Sequence, residues 1–141
     1  MFTVSANILV ALFLAVNAFT DLKSKTIQPA LSAAMLAAGL AITSLLPALS
    51  VSKSFWGILP GSILFLVSFI LPDEIGRGDG CVLAACGAWL GIRAVMRLTF
   101  LGLALAAGVS VYLLLIKKAG KKTQLPFMPF LFAGQLLRLW I

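Results

Sequence analysis

The sequence predicts an all-α fold, a polytopic membrane helix bundle of about six transmembrane helices. Three observations predict it. The hydrophobic fraction is 62% and the mean hydropathy +1.12, far above the roughly 45–50% apolar usage of soluble domains. Long apolar runs recur along the chain, separated by short segments marked by proline, glycine and charge. The basic residues, which bring the net charge to +7, lie mostly between those runs. At about 20 residues per span, 141 residues hold about six helices with short turns. That is a single integral membrane domain over residues 1–141, with no room for a separate soluble one.

The first run covers about Val4 to Thr20. It lacks a basic leader and a small-residue cleavage site, so it reads as a retained helix rather than a signal peptide. A polar turn from Asp21 to Gln28 follows, and Pro29 suits the first turn of the next helix, where its missing N–H is not needed. The second span is about Ala30 to Leu49, with Ser50 to Lys53 as a turn, and the third about Ser54 to Leu71. The string Pro72-Asp73-Glu74-Ile75-Gly76-Arg77-Gly78 breaks the chain. A fourth helix begins near Asp79 and ends before Arg97, with Arg93 near its end. The fifth spans about Leu98 to Ile116, Lys117 to Lys122 form a basic loop, and the sixth fills about Pro126 to Trp140.

Loop charge sets the orientation. The odd-numbered loops carry Lys23, Lys25, Arg77, Lys117, Lys118, Lys121 and Lys122, against Lys53, Arg93, Arg97 and Arg138 elsewhere. The odd loops are therefore expected in the cytoplasm and both termini outside. Charge placed between spans points to topology and anionic lipid rather than nucleic acid. Cys81 and Cys86 form no CxxC pair and the chain has no histidine, which argues against structural zinc. Five residues apart, they leave different sides of a helix and read as small buried thiols without a disulfide.

Only four acids occur, Asp21, Asp73, Glu74 and Asp79. Asp21 and Asp79 sit where apolar spans meet polar turns, and the predicted topology puts both on the cytoplasmic face. Singly, each has a structural explanation. Asp21 is a boundary residue able to pair with Lys25, although the end of a helix disfavours an anion. Asp79 reads as a helix N-cap, with the neighbouring glycines permitting a tight turn. Together they match what aspartic proteolysis needs: two carboxylates sharing a proton, one activating water and the other polarising the scissile carbonyl. Gly76, Gly78 and Gly80 would let a substrate strand approach the backbone, while Lys23, Lys25 and Arg77 would set the local field. Asp73 and Glu74 read as loop residues. The absence of histidine excludes Ser-His catalysis and HExxH metal sites within the chain. Ser24 beside Lys25 offers only a weak Ser-Lys alternative, because neighbours in a turn need not face each other.

At Gly76-Arg77-Gly78-Asp79 the chain resembles the type IV prepilin peptidases, the GxGD membrane aspartyl proteases. The resemblance continues through Leu83-Ala84-Ala85-Cys86-Gly87-Ala88-Trp89-Leu90-Gly91, whose Gly87 and Gly91 form a small-xxx-small face. Upstream, Asp21-Leu22-Lys23-Ser24-Lys25-Thr26-Ile27 is similar to the family's Asp-x-basic-x-basic-x-Ile segment. Pro126-Phe127-Met128-Pro129-Phe130 is similar to its Pro-Phe-x-Pro-Phe string. Two departures stand out: Gln28 where the family commonly has proline, delayed here to Pro29, and Cys81 where it often has lysine.

The resemblance implies an aspartic endopeptidase with Asp21 and Asp79 as the catalytic pair. It would cut the basic leader from a prepilin or pseudopilin whose hydrophobic helix lies beside it in the bilayer. It further implies the bacterial cytoplasmic (inner) membrane with the active site on the cytoplasmic side, and no metal or other cofactor. The longer members' N-terminal cytosolic extension is lacking, so peptidase activity is expected without methyltransfer. Two other classes compete with this reading. One is a non-catalytic assembly protein keeping the peptidase fold. The other is a small proton- or cation-coupled transporter using the same two aspartates, for which matching broken segments in two halves are expected and not found.

Overall fold

The computed structural model describes residues 2–24, 29–45, 51–71, 76–116 and 126–141. They form six helices and no strand: α1 (Phe2–Ser24), α2 (Pro29–Leu45), α3 (Val51–Ile70), α4 (Arg77–Leu90), α5 (Ile92–Ile116) and α6 (Met128–Trp140). α1, α3 and α5 are long and apolar enough to cross a membrane, and α2 is a shorter apolar helix. The all-α membrane bundle expected from hydropathy is therefore present. α3 begins at Val51, so Val51 to Lys53, expected in a turn, open the helix instead. Lys25 to Gln28, Ser50, Asp73, Glu74 and the Lys117 to Lys122 loop lie outside the described residues.

Three further boundaries differ from the sequence expectation. α1 continues through Asp21 to Ser24, so Asp21 is inside the last turn of a helix rather than in a polar turn. Its side chain gains a tertiary partner, described below, that a loop assignment did not foresee. α4 starts at Arg77, with Gly76 rather than Asp79 at the N-cap position. α4 also ends earlier, at Leu90, and α5 begins at Ile92. The stop is Gly91, whose φ of 76° lies in the region that only glycine enters readily. Gly91 is thus a turn residue, yet it still shares a close-packed face with Gly87, since a Cβ on Gly57 would come 2.9 Å from Gly91 Cα; Arg93 and Arg97 belong to the first turns of α5.

α4 is the hub. It packs on α1, α2, α3 and α5, most extensively on α3, while α6 closes the bundle between α1 and α5. Every residue from Val82 to Ala88 is buried. Val10, Phe13, Leu14, Val82, Leu83, Val95, Leu98, Met128 and Leu131 are among the side chains of the surrounding core. At 14 residues α4 rises about 21 Å, less than a bilayer's hydrocarbon core. It is shielded from lipid by its neighbours and need not span that core alone.

The tightest seam is α3 against α4. A Cβ added at Gly87 would overlap the backbone carbonyl of Gly57, and one at Gly57 would overlap that of Gly87. Lipid supplies no hydrophobic drive for helix pairing, so close backbone approach and the dispersion it allows hold such seams together. On the α2 side Gly39 makes room for Trp89, whose indole Nε1 donates to Met35 O at 2.9 Å. Hydroxyls on the helices return to their own backbone, as Thr43 to Gly39 O (2.8 Å) and Thr99 to Val95 O (2.8 Å) do. Apolar surroundings require this satisfaction. Outward, large apolar side chains such as Phe19, Phe55, Leu66, Phe100 and Leu115 are exposed, as a lipid-facing surface requires.

Candidate active site

Two elements bring the carboxylates to one end of the bundle. α1 delivers Asp21 in its last turn, and α4 starts with Asp79 in its first turn. The helices are in contact, and the Asp21 and Asp79 charges act on each other. Asp21 is buried, with 8% of its surface accessible, and Asp79 is partly buried. Two like charges placed together away from bulk water are unfavourable when both ionise.

The local environments differ. The Asp21 carboxylate (Oδ2) accepts a hydrogen bond from the backbone N–H of Met128, at 3.3 Å. Met128 is the first residue of α6, where that N–H has no partner within its own helix. Phe127 at the N-cap position supplies no side-chain cap, so Asp21 fills that role from across the bundle. The contact also resolves the unfavourable position of an anion at the end of α1: the positive end of α6 faces it. The Pro126-Phe127-Met128-Pro129-Phe130 string thus has a structural use, since it starts α6 against Asp21 with a proline in the first turn.

Asp79 sits in the first turn of its own helix, also a favourable place for a carboxylate. Its backbone N–H donates to Gly76 O at 3.0 Å, and its side chain folds back over Gly76, where an added Cβ would lie 3.2 Å from Oδ2. Gly76 is extended (φ −65°, ψ 127°) and exposed; Gly78 is partly buried in α4. Gly80 is buried, its Cα turned to the backbone of Phe65, where a Cβ would meet Phe65 N at 2.6 Å.

Of the basic residues singled out from sequence, Lys23 is exposed in the last turn of α1. Arg77 is exposed with its guanidinium 5.0 Å from the Phe69 ring centre. Lys25 lies outside the described residues, as does any Ser24–Lys25 pairing. Cys81 and Cys86 are free thiols, Cys86 fully buried. Cys81, where the resemblance led to an expectation of lysine, lines an apolar cavity of about 400 Å³ between α2, α3 and α4. Pro29, Leu36, Phe65 and Gly80 share that lining, so the cavity begins beside Asp79. No group of three or more Cys, Asp or Glu residues able to hold a metal occurs among the described residues.

Sequence reasoning passed over two features. One is Asn17, fully buried four residues before Asp21 on α1; an asparagine inside an apolar span was itself a signal. The other is a polar cluster toward the opposite end of α1. There Arg138 donates to Gln135 Oε1 at 3.1 Å and also to Asn7 Oδ1, and Gln135 Nε2 donates to Asn7 O at 3.3 Å. This cluster ties the start of α1 to the end of α6.

The sequence model of a family described as the type IV leader peptidase family matches residues 8–111. The chain is also similar to Escherichia coli leader peptidase HopD, 36% identical over 96 residues. That alignment covers 63% of this chain and 62% of the relative, so the chain matches less than two thirds of the relative's length. No solved structure matches it.

Proposed function

The chain belongs to the type IV leader peptidase family, and from that premise we propose that it is a membrane aspartyl endopeptidase with Asp21 and Asp79 as its catalytic pair. Its substrate is a prepilin-like protein whose basic leader is cut off at the cytoplasmic face of the inner membrane. The observation that supports the reading is that α1 and α4, in contact, carry Asp21 and Asp79, remote in sequence, to one end of the bundle.

Asp21 acts as the base, because Met128 N–H and the α6 terminus support its negative charge. Asp79 carries the shared proton, since the pair cannot cheaply hold two charges. A water loses a proton to Asp21 as its oxygen bonds to the scissile carbonyl carbon, and the carbonyl oxygen takes the Asp79 proton. Collapse of the tetrahedral intermediate breaks the C–N bond. The leaving nitrogen takes the proton held by Asp21, and Asp79 recovers its own from the intermediate's hydroxyl.

The substrate's apolar helix lies in the bilayer against the outward apolar faces, with its leader junction at the two carboxylates. Lys23 and Arg77 would repel a basic leader. Anionic lipid headgroups at the same face counter them, and Arg77 is already engaged by Phe69.

The test is co-expression with prepilin-like substrates, comparing wild type with Asp21→Asn and Asp79→Asn. Loss of cleavage in both variants is expected. Cleavage that survives either substitution would remove that aspartate from the mechanism. Failure of wild type to cut any such substrate, together with Asp-dependent ion flux in proteoliposomes, would favour a transporter.

A further inference from the structure

We propose that Asn17 is a positioning residue for the carboxylate pair, its side-chain carbonyl and the Asp21 carboxylate holding one water molecule between them. The proposal deepens the aspartyl-peptidase reading above and rests on it. Asn17 precedes Asp21 by one helical turn, so the two side chains leave the same face of α1, with Cβ atoms about 5–6 Å apart. Both are buried, Asn17 completely.

The Asn17 amide has a defined direction. Its Nδ2 donates to Phe13 O at 2.8 Å, back toward the start of the helix. The opposite flip would set two oxygens against each other. Oδ1 therefore occupies the other limb of the amide, where it is buried with no hydrogen-bond partner among the described residues. Leaving a buried carbonyl unpaired costs the whole desolvation of that oxygen. An apolar residue of the same size would avoid that cost.

The chemistry of the two groups selects what joins them. An amide oxygen and a carboxylate are both acceptors, so the link must donate twice. Water is the smallest molecule that does so, and it spans the gap between side chains one turn apart. Asp21 already uses Oδ2 to receive Met128 N–H, which leaves its other oxygen to receive the water. Held from α6 on one side and through Asn17 on the other, the Asp21 carboxylate cannot rotate away from Asp79. Asn17 itself neither touches the substrate nor moves a proton.

The test uses the full chain in detergent with a prepilin-like substrate, measuring kcat, KM and thermal unfolding. Asn17→Leu fills the volume, excludes the water and deletes the unpaired oxygen. A merely structural Asn17 would leave turnover unchanged in this variant. The positioning role predicts that kcat falls on the order of 10- to 100-fold, with KM unchanged and unfolding at or above the wild-type temperature. Wild-type kcat in Asn17→Leu would overturn the proposal. Should that variant not fold, Asn17→Ser and Asn17→Ala decide, since they differ by one hydroxyl acceptor: serine turning over several-fold faster supports the role, and equal rates overturn it. Inactive wild type, or cleavage by Asp21→Asn, brings down the peptidase reading and this proposal with it. Inactive Asp21→Asn and Asp79→Asn beside a fully active Asn17→Leu bring down the proposal alone.

Discussion

Gly87→Ala offers the sharpest test of how the site is held. The added methyl would lie 2.5 Å from the carbonyl carbon of Gly57, against 3.4–4 Å for ordinary contact. The obstacle is backbone on both sides, with Gly57 O nearer still, so no rotamer change relieves it, and α3 and α4 must part by more than about 1 Å. Overpacking of this kind costs about 1–3 kcal/mol, here toward the upper end, while alanine returns about 1 kcal/mol in helix propensity. The net loss is about 2 kcal/mol, or about 4–8 °C in unfolding temperature at this chain length. Cys86, fully buried beside Gly87, supplies the assay in a Cys81→Ser background, which removes the partly buried second thiol: a thiol-reactive dye labels Cys86 only as the bundle opens. Asp79, proposed above as catalytic, rides on the same helix, and a 1 Å displacement at such a group costs about 100-fold in rate. Gly108→Ala is the control, because a Cβ there meets nothing within 4 Å, and it should be neutral or stabilising. Gly87→Ala unfolding at or above the wild-type temperature with undiminished cleavage would refute the close α3–α4 seam.

Three further outcomes follow from the hydrogen bonds. Asp21→Asn keeps an oxygen for Met128 N–H whereas Asp21→Leu leaves that buried donor unpaired. Both should lose cleavage, and leucine should also lose about 1–3 kcal/mol of stability relative to asparagine in the dye assay. Trp89→Phe removes the Nε1 bond to Met35 O and should lower the unfolding free energy by about 1 kcal/mol; an unchanged melt would show that bond to be dispensable. Arg138→Leu breaks the bonds to Asn7 and Gln135. It should destabilise by roughly 2–3 kcal/mol with KM unaffected, because the cluster lies toward the opposite end of α1 from Asp21.

Much of the architecture was legible because lipid imposes simple rules on sequence. Apolar runs must be helices, so the six-element order and the start of α2 at Pro29 followed from hydropathy and proline alone. Boundaries were legible only where a breaker was obvious. Gly91 ends α4 by its positive φ, and although the sequence placed it with Gly87 on a small-residue face, as it is against Gly57, nothing local marked the break. The extension of α1 through Asp21 was hidden for another reason: polar residues after an apolar run look like a loop, and only contact with another helix shows otherwise.

The sequence by itself determined that this is a membrane helix bundle and that Asp21 and Asp79, among very few acids, are the residues to watch. Composition and short strings suffice for that, because carboxylates at membrane boundaries are costly and rarely placed without a use. Only the tertiary structure decided how the two are supported. The N–H that receives Asp21 comes from Met128, far along the chain, and the buried, half-satisfied Asn17 becomes informative once α1 is packed. The glycine seam that seats α4 likewise exists only between two helices. Local pattern reports which side chains are present; the direction of a hydrogen bond or the closeness of two backbones depends on how separate helices pack.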